Sequence, residues 1–262
     1  RRLLPDEDPS AAAESALLCL DNGDLEGATQ HIDAASIRGD GAIVSYVRGN
    51  IAANQGHLKA AETHFDAAIE TDPTHVRARL NRASIHMASG NAQGALDDAN
   101  VLLELAPGLA LAKLRRAEAN MMLSNWSDSK TDLEQIVSDA PHHHHALTQL
   151  AACYISMERP EKAEAPLNEA LRLAPEHTDA WHQRGLLYLD WGREEAALND
   201  FEAAVRCDGN HLDARLHIAA IHHEAGRFIE ASGAWKGVLA IEPEHAVARR
   251  RREECDMALA TM

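Results

Sequence analysis

The spacing of prolines constrains this chain more than any other feature. Pro73, Pro107, Pro141 and Pro175 step by 34 residues, and Pro243 follows at twice that interval, with Gly209 in the skipped place. Each proline sits in a turn-like tripeptide such as Asp72-Pro73-Thr74, Ala140-Pro141-His142 or Glu242-Pro243-Glu244. A fixed period of this length signifies stacked supersecondary units, since one short unit cannot bury its apolar face alone. Cutting at the period yields units 42–75, 76–109, 110–143, 144–177, 178–211 and 212–245. A shorter unit, 9–41, and a leader, 1–8, precede them, and 246–262 follows as an expected C-terminal capping helix.

Each unit reads as two amphipathic helices. In 178–211 the first carries Trp181, Gly185, Leu187 and Tyr188 to a turn at Gly192, and the second carries Ala197, Phe201, Ala204 and Val205. Apolar residues recur three and four apart on both, as one buried helical face requires. A glycine closes the first helix at Gly23, Gly56, Gly90, Gly192 and Gly226, where a left-handed residue suits a helix end. The twentieth place reads Ala28, Ala61, Ala95, Ser129, Ala163, Ala197, Ala231, and four residues later stand Ile32, Phe65, Ala99, Leu133, Leu167, Phe201, Trp235. The chain is 45% hydrophobic but only 4% aromatic, which favours close helix packing over a sandwich of strands.

Trp181, Gly185, Tyr188, Ala197, Phe201 and Ala204 at these spacings resemble the tetratricopeptide repeat, and the match runs over residues 9–245. The resemblance implies an all-α fold: a right-handed α-solenoid of about seven helix–turn–helix units plus the terminal helix. Two units depart from the pattern. Unit 110–143 has Ser124 and Ser129 where Gly and Ala are usual, and unit 144–177 carries Pro166 inside its second helix. A proline in a helix interior removes a hydrogen bond, so a kink is expected near residues 162–166, whereas Pro160 at the helix start is harmless.

The seventh place, usually Leu in this family, is Arg48, Arg82, Arg116 and Arg184, and the twenty-third place in three of those units is Asp98, Asp132 and Asp200. Units with Leu150 or Ile218 at the seventh place carry Pro166 or Ala234 at the twenty-third, so the charges come and go together. Intra-unit pairs Arg82–Asp98, Arg116–Asp132 and Arg184–Asp200 are therefore expected to tie first helix to second.

By resemblance, first-helix residues face a concave groove that binds a peptide or partner protein. The groove set is Tyr46, Asn50, Arg77, Asn81, Met87, Leu114, Arg115, Met122, Gln149, His182, Gln183, Leu186 and His217. Its N-terminal part offers amides, cations and flexible apolar groups, suited to an acidic or amphipathic peptide. Some family members hold the C-terminal carboxylate of a chaperone with a five-residue clamp. Here those places carry Tyr46, Asn50, Asn81, Leu111 and Arg115, lacking both lysines, so the bland reading is polar groove lining.

Of the 16 histidines, His75, His143, His177, His211 and His245 hold the last place of a unit. Repeat geometry brings His182, Asp213, His217 and His223 toward one stretch of groove, a weak metal candidate beside the reading of a solvated polar surface. With ordinary values near ~6.5, most histidines would charge by about pH 6 and offset much of the formal −16.

That negative charge argues against nucleic acid and against anionic membranes. No phosphate loop, nucleophile elbow or Cys/His/acid set stands in a recognisable context, so no catalysis and no cofactor are expected. The reading is a non-catalytic interaction scaffold or adaptor, a monomer or weak dimer with a protein or peptide partner. Its alternatives are the repeat region of a larger enzyme or membrane-assembly protein, and a co-chaperone. Cys19, Cys153, Cys207 and Cys255 stand far apart and suit a reducing, cytoplasmic compartment. Periplasmic and membrane-associated settings stay open, because the Arg1-Arg2 start suggests that flanking sequence is missing.

Overall fold

A computed structural model describes residues 9–36 and 41–261, so the expected leader 1–8 lies outside the described residues. Among the described residues all regular secondary structure is helical, and successive helices pack in pairs. First helices are α1 (Pro9–Asp21), α3 (Ala42–Asn54), α5 (Val76–Ala88), α7 (Ala110–Met122), α9 (His144–Ser156), α11 (Thr178–Asp190) and α13 (Leu212–Glu224). Second helices are α2 (Leu25–Ser36), α4 (Leu58–Thr71), α6 (Ala92–Leu105), α8 (Trp126–Asp139), α10 (Glu164–Leu173), α12 (Glu194–Cys207) and α14 (Phe228–Ile241), with α15 (Ala246–Ala260) last. The chain divides into two compact bodies, Arg1–Asp132 and Leu133–Met262.

The turn inside each pair has one geometry. The residue at the fifteenth place is left-handed, with φ of 75°, 76°, 75°, 68° and 69° at Gly23, Gly56, Gly90, Gly192 and Gly226. Ser124 and Glu158 adopt the same conformation, at 62° and 59°, although neither is glycine. In both, the next N–H still donates to the carbonyl five residues back, Asn125 to Asn120 at 2.8 Å and Arg159 to Tyr154 at 2.9 Å, as Asn91 does to His86 at 2.8 Å. This bond closes the helix end, and the repeat imposes it even where the side chain opposes it.

The core runs between the helices of each pair. All seven twentieth-place residues, Ala28 through Ala231, are fully buried, and Phe65, Leu167 and Phe201 beside them have no exposed surface. The eighth place adjusts to the twenty-fourth. Gly49 faces Phe65 and Gly185 faces Phe201, where an added Cβ would stand 2.4 Å and 2.7 Å from the ring. Ala83 and Ala219 take the eighth place in units whose twenty-fourth residue is Ala99 or Trp235. Only the phenylalanines require a bare backbone opposite, a close approach glycine alone permits.

Pro166 does not sit in a helix interior. The second helix of unit 144–177 opens as a 3-10 turn, Pro160–Lys162, breaks at Ala163 and restarts as α10 at Glu164. Pro166 thereby occupies the third position of a new helix, where the backbone N–H has no intrahelical partner to lose. The expected kink is thus a break that moves the proline into a first turn. Beyond α14, helix α15 packs back and buries Ala248 and Cys255, leaving Val247 and Met257 exposed.

Candidate functional site

In the first body, side chains from α1, α3 and α5 line a polar cleft of about 390 Å³. Asn50 and Asn54 on α3 meet Arg77 and Asn81 on α5, with Asp21 beside them. The Asn81 amide Nδ2 donates to Asn50 Oδ1 at 2.7 Å, so the two amides orient each other. Tyr46 lines the same cleft but is 7% exposed, its ring 4.9 Å from His75 and 6.1 Å from Phe65; it belongs mostly to the core. Leu114 is buried as well, whereas Leu111 and Met122 are exposed and Met87 is half-buried. Arg115 donates from Nη1 to Glu118 Oε2 at 2.6 Å, while its buried Nε has no hydrogen-bond partner. A neighbouring carboxylate thus engages the arginine that a carboxylate clamp would need.

In the second body, α9, α11 and the turn Glu158–Pro160 line a larger and mainly apolar cleft of about 690 Å³. Gln183 and Leu186 contribute to it, together with Ala152, Ile155 and Asp190. Gln149 lies on α9 with its Nε2 3.0 Å from His145 Nε2.

The four residues of the metal candidate do not come together. His217 stacks on Phe201, with centroids 4.8 Å apart and planes at 15°, and His182 packs 5.7 Å from His217 and 4.7 Å from His211. His223, in the last turn of α13, faces α15 instead: its Nδ1 is 3.2 Å from Cys255 Sγ and its Nε2 is 3.3 Å from Arg251 Nη1. Among the described residues, no three His, Cys, Asp or Glu side chains group so as to hold a metal ion. The rings are instead used as aromatic packing over Phe201. Burial pushes His182 and His217 below the ordinary histidine value, and it does the same to His177 and His222. Fewer histidines therefore charge by pH 6 than ordinary values imply.

The arginines of the seventh place form forked ion pairs. Arg82 donates from Nε and Nη2 to Asp98 at 2.9 and 2.5 Å, Arg116 to Asp132 at 2.7 and 2.7 Å, and Arg184 to Asp200 at 2.7 and 2.8 Å. All three aspartates are almost fully buried. Each guanidinium has a further arm that sequence reading missed. Nη1 reaches the twenty-fifth place of the preceding unit, Asp66 at 2.6 Å, Asn100 at 3.5 Å and Asn168 at 2.6 Å. One arginine thus staples two units. The signal was present, since Asp66, Asn100 and Asn168 precede their arginines by sixteen residues, as the aspartates follow by sixteen.

The recurrent histidines also have a structural use that spacing did not reveal. In His75, His143 and His211 the ring Nδ1 accepts the backbone N–H three residues on, from Ala78, Ala146 and Ala214, at 3.1 Å each; His245 accepts from Ala248 at 3.2 Å. These are N-caps of the next first helix. His177 caps no N–H and lies 5.0 Å from the His144 ring.

Tetratricopeptide-repeat family profiles match residues 46–110 and 113–181, and residues 150–223. A tetratricopeptide repeat protein from Parabacteroides merdae superposes with a TM-score of 0.72 at 19% identity, covering 94% of this chain and 98% of its own. A chain of the APC/C hetero-tetramer Cut9-Hcn1 gives 0.73 at 16%, covering 94% of this chain and 48% of its own, and YrrB gives 0.54 at 21%, covering 72% and 97%. Comparison with curated protein sequences returned no significant match. Among the described residues, no helix is long and apolar enough to cross a membrane.

Proposed function

Because the chain belongs to the tetratricopeptide-repeat family, whose members are in general interaction modules, we propose that it is a non-catalytic scaffold that binds a peptide or partner protein on the faces of its first helices. One observation carries the reading. The polar cleft is lined from α1, α3 and α5 and the apolar cleft from α9, α11 and the turn after α9, so both open on first helices, whereas a third opening of about 380 Å³, lined from α6 and α8 with Arg116 and Asn120 of α7, is occupied at its wall by the Arg116–Asp132 ion pair. YrrB, a similar fold, is described as a TPR protein with a peptide-binding site, which supports the same class of ligand here.

Capture of partners from a lysate, repeated with Asn81→Ala plus Arg115→Ala and with Lys59→Ala, tests the reading. Lys59 lies on α4 with its side chain 87% exposed, a second-helix position outside both clefts. Specific capture should fall with the first-helix double variant and persist with Lys59→Ala. Equal capture by all three proteins would overturn the assignment to first-helix faces.

A further inference from the structure

At the fifteenth place five units use glycine to occupy a left-handed turn, whereas unit 110–143 places Ser124 there, at φ 62°, and unit 144–177 places Glu158, at φ 59°, of which only Glu158 lines a cleft. A non-glycine residue in that conformation is strained, and such strain concentrates where a side chain has work to do beyond the fold. Glu158 lines the 690 Å³ cleft. The other lining is mostly apolar: Ala152, Pro160 and Leu187, with Ile155 and Leu186 36% and 37% exposed although both are large hydrophobics. Asp190 supplies a second carboxylate, and no Lys, Arg or His lines the cleft. Among the described residues neither carboxylate is held in an ion pair. Gln183 brings a buried Oε1 with no hydrogen-bond partner, an acceptor for a donor that the protein itself does not supply.

From this juxtaposition we infer that the cleft docks a basic amphipathic peptide, in which bulky apolar side chains cover Ile155 and Leu186 and a flanking Lys or Arg meets Glu158 and Asp190. A volume of this size admits more than one large side chain, within the range of small-ligand pockets. Charge complementarity selects the partner: both free carboxylates stand at an apolar opening, and the chain as a whole carries −16, which also draws a cation by long-range attraction. The inference rests on the reading of first-helix faces as partner surfaces and adds to it the chemistry of one partner segment.

The test uses fluorescence polarisation of two labelled synthetic peptides on the full chain, one of the pattern Lys-Leu-Ser-Phe-Lys and one of the pattern Glu-Leu-Ser-Phe-Glu. The basic peptide should bind at least tenfold more tightly, and the gap should shrink as salt rises. Glu158→Gly and Glu158→Gln should each weaken the basic peptide about threefold or more, and Glu158→Gln with Asp190→Asn about tenfold. Glu158→Gly should at the same time raise the melting temperature, because it relieves the left-handed strain; misfolding therefore cannot explain its loss of binding. Equal affinity for both peptides, or unchanged affinity in both Glu158 variants, would overturn the inference. If lysate capture then still depends on Asn81 and Arg115, only the peptide chemistry assigned to this cleft fails; if it depends on neither, the first-helix reading fails with it.

Discussion

Replacing Arg184 by isoleucine should be among the most damaging single changes in the second body, and the repeat itself supplies the rescue. Asp200 is 4% exposed and accepts two bonds from Arg184, at 2.7 and 2.8 Å, from a side chain itself 17% exposed. Surface ion pairs contribute at most about 1 kcal/mol, but this carboxylate is out of water. Removing its cation leaves a buried charge uncompensated, a loss of about 3–5 kcal/mol. In unit 212–245 the same two places carry Ile218 and Ala234, a combination the fold accepts without charge. Arg184→Ile with Asp200→Ala should therefore recover most of the loss. It should remain about 1 kcal/mol below the parent, because the guanidinium also lies 4.9 Å over the Trp181 ring. Asn168, the third partner, is exposed and finds water instead. Urea denaturation followed by circular dichroism reads the cycle. Since repeat arrays lose cooperativity, amide hydrogen exchange in α11 and α12 should be followed alongside. A double variant as unstable as the sum of the two single variants would refute the buried-pair argument.

Three further outcomes are expected. Ser124→Gly should stabilise the first body by roughly 1 kcal/mol, because φ at 62° is costly for serine and free for glycine; an unchanged or lower urea midpoint would contradict this. Acid should destabilise the fold: burial holds His177, His182, His217 and His222 below their unfolded values, so the unfolded chain takes up protons first as pH drops below about 6.5. Stability should be level above that pH and decline below it, until the folded-state values are passed. A melting temperature that rises between pH 7.5 and 5.5 would contradict this and mean that relief of net negative charge dominates. Cys255 is buried and its thiol pushed up by burial, whereas Cys207 is exposed, so a thiol reagent should modify Cys207 quickly and Cys255 only on unfolding; equal rates in the native state would show that α15 opens readily.

The fold was legible because it repeats. A period of 34 with Ala28, Ala61, Ala95 and their successors in one column states the helix pairing several times over, and periodicity survives the loss of any single signal, such as the missing glycine at Ser124. The arginine–aspartate pairs were legible for the same reason: their presence and absence correlate between units of one chain. The disturbance expected near Pro166 takes the form of a break and not a bend, because α10 starts at Glu164, four residues later than the other second helices start in their units, and spacing carries no record of where a helix restarts.

The sequence by itself determined the unit, its two helices, its small-residue column and the charge pairs within a unit, since these depend on contacts at short, repeated separations. The tertiary structure decided what each side chain does with its remaining freedom. It turned four of the five terminal histidines into helix caps, sent His223 to Cys255 rather than to His217, drew Tyr46 into the core and left Glu158 strained at an apolar opening. Those outcomes depend on which of several neighbours a rotatable side chain meets once helices pack, a choice settled by burial and geometry between elements.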